Sequence, residues 1–198
     1  MTDDLIMQDD PYDHLLAQVR EAYGRVVYSH KTREKQADIC FGRHRRQQWV
    51  LILLTAISSG AFLVSLLGVV TSKETASLVT SFIALLVTGT TLGGKTLKFE
   101  EEADAHRDIA ARLWGVRESY LSLISDLMSR AVSTSEARGK RDHLQGELGA
   151  IYSEAPRTGS KAFRMASGGL KENEEMTFTS AELDLLLPQA LRLNGDEG

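Results

Sequence analysis

The stretch QQWVLILLTAISSGAFLVSLLGVVTS, residues 47–72, decides the fold because it holds 26 successive residues without a charge. As an α-helix it would be about 39 Å long, which exceeds the roughly 30 Å hydrocarbon core of a bilayer. Uncharged apolar runs of about 18 residues or more are rare in the cores of soluble proteins. The stretch therefore predicts a transmembrane helix, and a buried hairpin in a soluble protein is the alternative.

A second uncharged run, TASLVTSFIALLVTGTTLGG, follows at residues 75–94 and is 20 residues long. It would reach about 30 Å, which is barely enough to span. Only residues 71–74 (TSKE) separate the two runs, and Thr71 with Glu74 fits a capping box that would begin the second helix. The runs therefore predict a helical hairpin with both ends of the chain on one side of a membrane.

The flanking charges orient this hairpin. Basic residues precede the first run and follow the second, at Lys31, Arg33, Lys35, Arg43, Arg45, Arg46, Lys95 and Lys98, whereas the turn carries only Lys73. Because cytoplasmic flanks are enriched in Lys and Arg, both termini are expected to be cytoplasmic. Arg43, Arg45, Arg46 and Trp49 are then the predicted anchors at the interface with lipid.

The whole-chain composition excludes several classes of protein. The 198 residues suit one domain with an extension, and the net charge of −4 argues against a nucleic-acid partner. A single cysteine, Cys40, excludes an internal disulfide and any Cys-rich zinc site. The acidic start, MTDDLIMQDD, lacks the features of a signal peptide, and residues 1–11 are expected to be disordered.

Apolar stripes at helical spacing extend both predicted spans. One stripe precedes the first span (Leu15, Leu16, Val19, Ala22, Tyr23, Val26) and the other follows the second (Ile109, Leu113, Val116, Tyr120, Leu123, Ile124, Leu127). Two such helices can bury their stripes against each other as an antiparallel stalk. The predicted domain therefore covers 12–130, with helix 12–47, spans 48–71 and 76–95 around a turn at 72–75, and helix 96–130.

Residues 131–198 are expected to form a helical C-terminal extension. Ser133 with Glu136 predicts a capped helix to about Ser153, and Pro156 ends it. A short helix from Ser160 to Lys171 follows, and Thr179 with Glu182 caps a last one, AELDLLLPQALR. The predicted fold class is thus an all-α membrane protein: a two-transmembrane helical hairpin, long amphipathic cytoplasmic helices and a short helical tail.

This succession of amphipathic helix, two-span hairpin and second amphipathic helix, over about residues 12–130, resembles the SLATT domain. The segment 150–192 is also similar to the C-terminal extension of one SLATT subgroup, although the subgroup itself stays open. The resemblance implies a non-enzymatic effector of bacterial anti-phage or stress systems that assembles in the inner membrane, permeabilises it and stops growth. It also implies control by a partner sensor or nucleotide-second-messenger synthase.

One face of the second span carries small and hydroxyl residues, which we call the hydroxyl face. At about 100° per residue it consists of Ser77, Thr80, Ser81, Ala84, Thr88, Thr91 and Lys95. Leu78, Val79, Phe82, Ile83, Leu86 and Val87 lie opposite. The hydroxyl face would line a pore in a homo-oligomer or pack closely against another helix, as predicted for Ala56, Gly60, Ala61, Ser65 and Gly68 of the first span. The two roles are compatible if the packing is between subunits.

Residues 89–96, GTTLGGKT, match the P-loop pattern G-x-x-x-x-G-K-[ST]. A P-loop domain needs further parallel strands and a strand that ends in a metal-binding Asp. The remaining hundred or so residues all have helical patterns, so nucleotide hydrolysis is not expected and no cofactor is predicted.

Other polar groups are interpreted without a chemical role. Glu102 and His106, with Asp104 and Asp108 nearby, could hold a metal but fit a solvated helix face better. Cys40 is expected to be a packing residue, and His30 and His44 are placed where they could contact anionic lipid. The competing hypotheses are therefore a pore-forming effector and a membrane-anchored scaffold or sensor with a partner-binding stalk.

Overall fold

The computed structural model describes residues 11–60 and 73–186, and all regular secondary structure in these ranges is helical. In chain order the helices are α1 (Pro11–Ser58), α2 (Lys73–Leu97), α3 (Phe99–Met128), α4 (Thr134–Glu154), α5 (Ser160–Lys171) and α6 (Ser180–Leu186). The all-α prediction is confirmed for this part of the chain. The N-terminal residues 1–10, Thr71 and Ser72 at the predicted turn, and the end of the last helix lie outside the described residues, whereas residues 73–75, which are predicted as part of the turn, begin α2.

The first helix joins the predicted stalk to the first predicted span without a break. It has 48 residues, which corresponds to about 72 Å, and it passes straight through the expected boundary at residues 47 and 48. Its N-terminal half carries the apolar stripe, and from Trp49 onward most of its large apolar side chains are exposed, with Leu51 and Leu54 half-buried. One continuous helix therefore forms part of both the predicted stalk and the first predicted span.

The predicted stalk is confirmed, because the two stripes form one core between α1 and α3. On α1 the buried residues are Leu15, Val19, Ala22 and Val26, and on α3 they are Ile109, Leu113, Val116, Tyr120, Leu123 and Leu127. Leu16, Tyr23 and Ile124 pack against this core from its margin. Tyr12 adds a polar contact at the lower end, where its hydroxyl donates to the Leu127 carbonyl at 2.7 Å.

Helix α4 folds back onto this pair and closes the third side of the core. Ala137, Leu144 and Ile151 are buried in the same cluster, and Leu148 lies at its edge. The predicted cap is present, since the Ser133 hydroxyl accepts a hydrogen bond from the Glu136 amide at 3.2 Å. Helices α1, α3 and α4 form a small bundle, and the exposed apolar residues of α1 and α2 lie beyond one end of it.

The segment after α4 is held against α1 by polar contacts. Arg33 donates a hydrogen bond to the Pro156 carbonyl, and the Gly159 amide donates to Gln36 Oε1 at 3.0 Å. The small residues Ala162, Ala166 and Gly169 bury one side of α5, which packs on α1. At Thr179 the predicted cap forms in both directions, because its amide donates to Glu182 Oε2 and its hydroxyl accepts from the Glu182 amide.

A single residue separates α2 from α3. Lys98 has φ 40° and ψ 38°, which is the left-handed region, and its carbonyl accepts from the Glu102 amide at 3.0 Å. Side chains other than glycine rarely adopt this conformation. The break lies three residues beyond the boundary that the sequence predicts at residue 95.

We expect Leu123→Ala to lower the free energy of unfolding by about 2–5 kcal/mol, because it opens a cavity in the stalk core. Leu123 is 2% exposed, whereas Leu121, on the same helix, is 44% exposed. Leu121→Ala is the matched control and should stay within about 0.5 kcal/mol of the wild type. Denaturant titration of the detergent-solubilised protein, followed by circular dichroism, measures both. Equal losses would contradict the assigned core.

Candidate functional site

The hydroxyl face of α2 is exposed in the single chain. Ser77, Thr80, Ser81, Ala84, Thr88 and Thr91 all lie on the surface, while the Lys95 side chain lies outside the described part. The Thr88 hydroxyl donates to the Ala84 carbonyl at 2.9 Å, and the Thr91 hydroxyl donates to the Val87 carbonyl at 2.8 Å. Each oxygen can still accept a hydrogen bond from a partner outside the chain.

Helix α2 contacts α1 through a different face. Ile83, Val87, Thr90 and Gly94 are half-buried, and Gln47 Nε2 lies 3.4 Å from the Thr90 carbonyl as its donor. This face is about a quarter turn from the hydroxyl face at 3.6 residues per turn. Ile83 and Val87, which the sequence places on the outward apolar side, belong to this internal contact.

The small residues of the first predicted span are exposed where they are described. Ala56 and Gly60 lie on the surface of the single chain, and Ala61, Ser65 and Gly68 lie outside the described residues. Their packing role therefore stays a prediction.

One of the predicted interface anchors, Arg43, lies beside the α2–α3 break. Arg43, Arg45, Arg46 and Trp49 are all exposed. The guanidinium of Arg43 stands over the Phe99 ring, with 5.8 Å between Cζ and the ring centroid. His44 Nε2 lies 3.7 Å from Glu100 Oε2 on the neighbouring helix.

The residues that match the P-loop pattern form part of α2. Residues 89–96 are helical throughout, so their amides follow a helix instead of a phosphate-cradling loop. Gly94 has a packing role, because a β-carbon there would lie 2.7 Å from Gln47 Nε2. Because this atom is the end of a flexible side chain, Gln47 would have to move to admit a β-carbon at position 94, and sequence reasoning missed the contact because Gln47 is 47 residues away.

Two histidines lie buried between α1 and α3, which corrects two predictions. His106 is fully buried, so the prediction of a solvated face for Glu102 and His106 is wrong at the histidine. His30 is 3% exposed and packs against the Trp114 ring, with 5.4 Å between centroids, so its predicted contact with lipid is wrong. Both errors have one cause: the seam between α1 and α3 continues above the apolar stripes.

Burial shifts the pKa values of titratable side chains along this seam between α1 and α3. It lowers the pKa of His30, which Arg117 and Lys31 lower further against the opposing effect of Glu34. It also lowers the pKa of His106, whose Nδ1 lies 3.4 Å from Arg33 Nη1. Cys40 is fully buried as predicted, and burial raises the pKa of its thiol. Within residues 11–60 and 73–186, no three His, Cys, Asp or Glu side chains form a group that could hold a metal.

A cleft on the same seam was missed by the sequence analysis. It has a volume of about 520 Å³ and is lined by His30, Lys31, Glu34, Lys35, Ala37, Asp38, Arg107, Ala110, Ala111 and Trp114. Glu175, from the chain beyond α5, binds two of its lysines, with 2.8 Å to Lys31 Nζ and 3.1 Å to Lys35 Nζ. The only sequence signal is the i, i+4 spacing of the lysines, which is common on solvated helices.

One stretch of the described chain is long and apolar enough to cross a membrane. It lies within Ser77–Met128, where an 18-residue window has a mean hydropathy of 1.5 and none of it is buried. The first predicted span, residues 48–71, is described only as far as residue 60.

Comparison with known proteins gives one match. The family model described as "SMODS and SLOG-associating 2TM effector domain family 4" matches residues 15–182. The match includes the stalk, both uncharged runs, α4, α5 and the first residues of α6. No curated protein and no solved structure matches the chain.

The buried histidines make stability depend on pH. Their pKa values are lowered from 6.5 in the folded protein, so the unfolded chain takes up more protons as the pH falls. Their contribution is complete above about pH 6.5 and is lost as the pH falls toward the lowered values. We expect the free energy of unfolding to fall between pH 7.5 and 5.5, by about 1.4 kcal/mol for each unit of pKa difference traversed.

His106→Gln should reduce this slope, since glutamine does not titrate. His143→Gln is the matched control, because His143 is exposed on α4, and it should leave the slope unchanged. Denaturant titrations at several pH values measure the effect. A slope that survives in the double variant His30→Gln/His106→Gln would contradict the assignment.

Proposed function

Because the chain belongs to the SMODS and SLOG-associating 2TM effector domain family 4, we propose that it is a pore-forming membrane effector. It oligomerises in the bacterial inner membrane, permeabilises it and causes growth arrest or cell death. The observation that carries the proposal is the exposed hydroxyl face of α2, which the contact with α1 leaves free for other copies.

The description "2TM" and the uncharged runs support two spans. No residue of the apolar window within Ser77–Met128 is buried. On α1 the large side chains at the start of the first run are exposed as well: Trp49, Val50, Ile52, Leu53 and Ile57. A soluble protein rarely exposes apolar surface of this extent, and lipid is the partner that would cover it.

The flanking charges support a cytoplasmic location for both termini. In this orientation the bundle of α1, α3 and α4 lies on the cytoplasmic side of the membrane, and the connection between the two uncharged runs faces the periplasm. Arg43, Arg45 and Arg46 then lie near the anionic cytoplasmic surface of the membrane.

Two helices cannot enclose a water-filled channel, so the pore requires several copies. The hydroxyl face supplies groups that can accept hydrogen bonds from water or from a neighbouring subunit. No charge lies within either uncharged run, so ions would meet no fixed charge along the pore until Lys95 at its cytoplasmic mouth. The conductance is therefore weakly selective.

The family description associates these domains with SMODS and SLOG proteins. A sensor or a nucleotide-second-messenger synthase is accordingly the proposed partner, in a system that responds to phage or stress. An open pore would kill its host, so the resting assembly is closed and the trigger binds the open state more tightly.

The second candidate function is a membrane-anchored scaffold without a pore. Exposed apolar side chains on the C-terminal part favour it as a partner surface: Phe163, Met165, Phe178, Leu183, Leu185 and Leu186. The Thr88 and Thr91 hydroxyls also bond their own backbone, which lowers the cost of placing them in lipid. The two candidates differ in whether the hydroxyl face matters for leakage.

We expect induced expression to depolarise bacteria and Thr88→Val/Thr91→Val to reduce the rate of depolarisation about tenfold or more, because an apolar pore lining resists wetting. A voltage-sensitive dye measures the membrane potential. Thr90→Val is the matched control: its hydroxyl makes the same bond, to the Leu86 carbonyl at 2.8 Å, but it lies on the α1 side. Depolarisation that is equal in all variants would favour the scaffold.

The topology is tested by labelling with a membrane-impermeant maleimide. Cys40→Ala removes the only cysteine. In that background we expect Ser72→Cys to react in intact spheroplasts and Ser180→Cys to react only after they are lysed. Reaction of both positions before lysis, or of neither, would contradict the two-span hairpin.

A further inference from the structure

Two lysines that line the cleft between α1 and α3 form ion pairs with a carboxylate from the chain itself. Residues 172–179, which we call the tail loop, follow α5 and bring Glu175 onto Lys31 and Lys35. These lysine side chains are only 12% and 20% exposed, so the ion pairs are largely shielded from water. Hydrogen bonds from both lysines lower the pKa of the Glu175 carboxyl.

The tail loop is held in an unusual backbone conformation. Glu174 and Met176, on either side of Glu175, have φ values of 50° and 74°, which are uncommon for residues other than glycine. The Glu175 amide donates to the Gly169 carbonyl at 2.9 Å. A β-carbon on Gly169 would lie 2.9 Å from Glu175 Cδ, so the glycine leaves the space in which the carboxylate lies.

The cleft also contains a buried polar atom without a hydrogen-bond partner among the described residues. His30 is 3% exposed and lines the cleft, and its Nδ1 has no hydrogen bond. Behind the Trp114 ring, which lines the cleft as well, the Cζ of Arg117 stands 4.4 Å from the ring centroid, and Arg117 Nε makes no hydrogen bond but lies 3.7 Å from Glu118 Oε1. Unsatisfied buried polar groups are costly and call for a specific explanation.

The charges of the cleft favour an anion once Glu175 leaves. Lys31, Lys35 and Arg107 line it against Glu34 and Asp38, and Glu34 already pairs with Lys31 at 3.0 Å. Arg107 pairs with Asp104 at 3.2 Å. Lys35 has Glu175 as its ion-pair partner, so departure of the tail loop leaves a cation at a half-buried position.

We infer that this cleft binds a small soluble phosphate compound and that Glu175 occupies the phosphate position until such a ligand displaces it. A phosphate group accepts hydrogen bonds from both lysines more strongly than one carboxylate does, because it carries more charge and more acceptor oxygens. Displacement frees the tail loop and the chain beyond it. The inference goes beyond the proposed function and stands whether or not the protein forms a pore.

The position of the cleft favours a soluble phosphate over a lipid headgroup, on the orientation proposed above. Lys35 and Lys31 precede Gln47, where the uncharged run begins, by 12 and 16 residues. On a continuous helix this corresponds to about 18 and 24 Å. The headgroup layer extends only about 5–8 Å beyond the hydrocarbon core. The cleft therefore lies in the aqueous phase.

The test measures binding of inorganic pyrophosphate to the full-length protein in detergent, by equilibrium dialysis of the labelled anion. The apparent affinity falls with the fraction of open clefts, so Glu175→Gln should bind about tenfold or more tightly than the wild type. Glu172→Gln removes the same charge from the same loop and should stay within about twofold of the wild type. Lys35→Gln, added to Glu175→Gln, should abolish the gain.

A second pair of variants changes no charge. Gly169→Ala pushes the Glu175 carboxylate from its place, because that flexible side-chain end must yield, and should raise the affinity as Glu175→Gln does. Gly168→Ala is the matched control, since its β-carbon would meet only Glu172 Oε2 at an ordinary 3.7 Å. Circular dichroism verifies that each variant folds.

Hydrogen exchange of residues 172–179 measures displacement of the tail loop. In phosphatidylcholine bilayers, exchange should rise when pyrophosphate is added. The inference is wrong if neither Glu175→Gln nor Gly169→Ala gains affinity, or if the gain persists without Lys35. It is also wrong if exchange rises only when phosphatidic acid is incorporated, because a lipid headgroup would then be the ligand.

Discussion

The packing of the α1 stripe against the α3 stripe is the constraint on which the rest of the structure depends. It fixes two long helices side by side, and both lead into exposed apolar helices. Helix α4 and α5 are placed by their contacts with this pair. The buried histidines and the basic cleft exist because the seam extends above the apolar core. Burial of these stripes is also the main favourable free-energy term available to the bundle of α1, α3 and α4.

Local patterns predicted most of the fold. Apolar residues at helical spacing identified the stalk core, and the Ser133 and Thr179 caps identified two helix starts, because these signals lie within a few residues of each other. The errors concern contacts between distant parts of the chain. His106 looks solvated because its neighbours on α3 are charged, and only its position opposite Arg33 on α1 buries it. Glu175 reaches Lys35 from 140 residues away, and no local pattern encodes that pair.

The surface of α2 has three parts, which differ in what each of them contacts. The Ile83, Val87, Thr90 and Gly94 side is used inside the chain, and the broad leucine-rich side suits lipid. The hydroxyl face lies between them, and its Thr88 and Thr91 hydroxyls donate to the backbone of α2. The sequence predicts this face as one set of residues, and its role as a pore lining or packing surface stays a prediction. It could not predict which side α1 would take, because small and polar residues serve both internal and intersubunit packing.

Lys98, in the left-handed conformation, is the one residue that joins α2 to α3, so a change in its backbone torsions would rotate α2 about this point. Helix α2 has 25 residues, so its far end lies about 37 Å from that point. A rotation of about 10° at Lys98 would therefore move the far end of α2 by about 6 Å, which is roughly the radius of a helix with its side chains. The contact with α1 through Ile83, Val87, Thr90 and Gly94 restrains this rotation, because it holds α2 at positions 4 to 15 residues away from Lys98. A torsional change at Lys98 would therefore move the whole apolar helix only when this contact is released, while the stalk below keeps its shape.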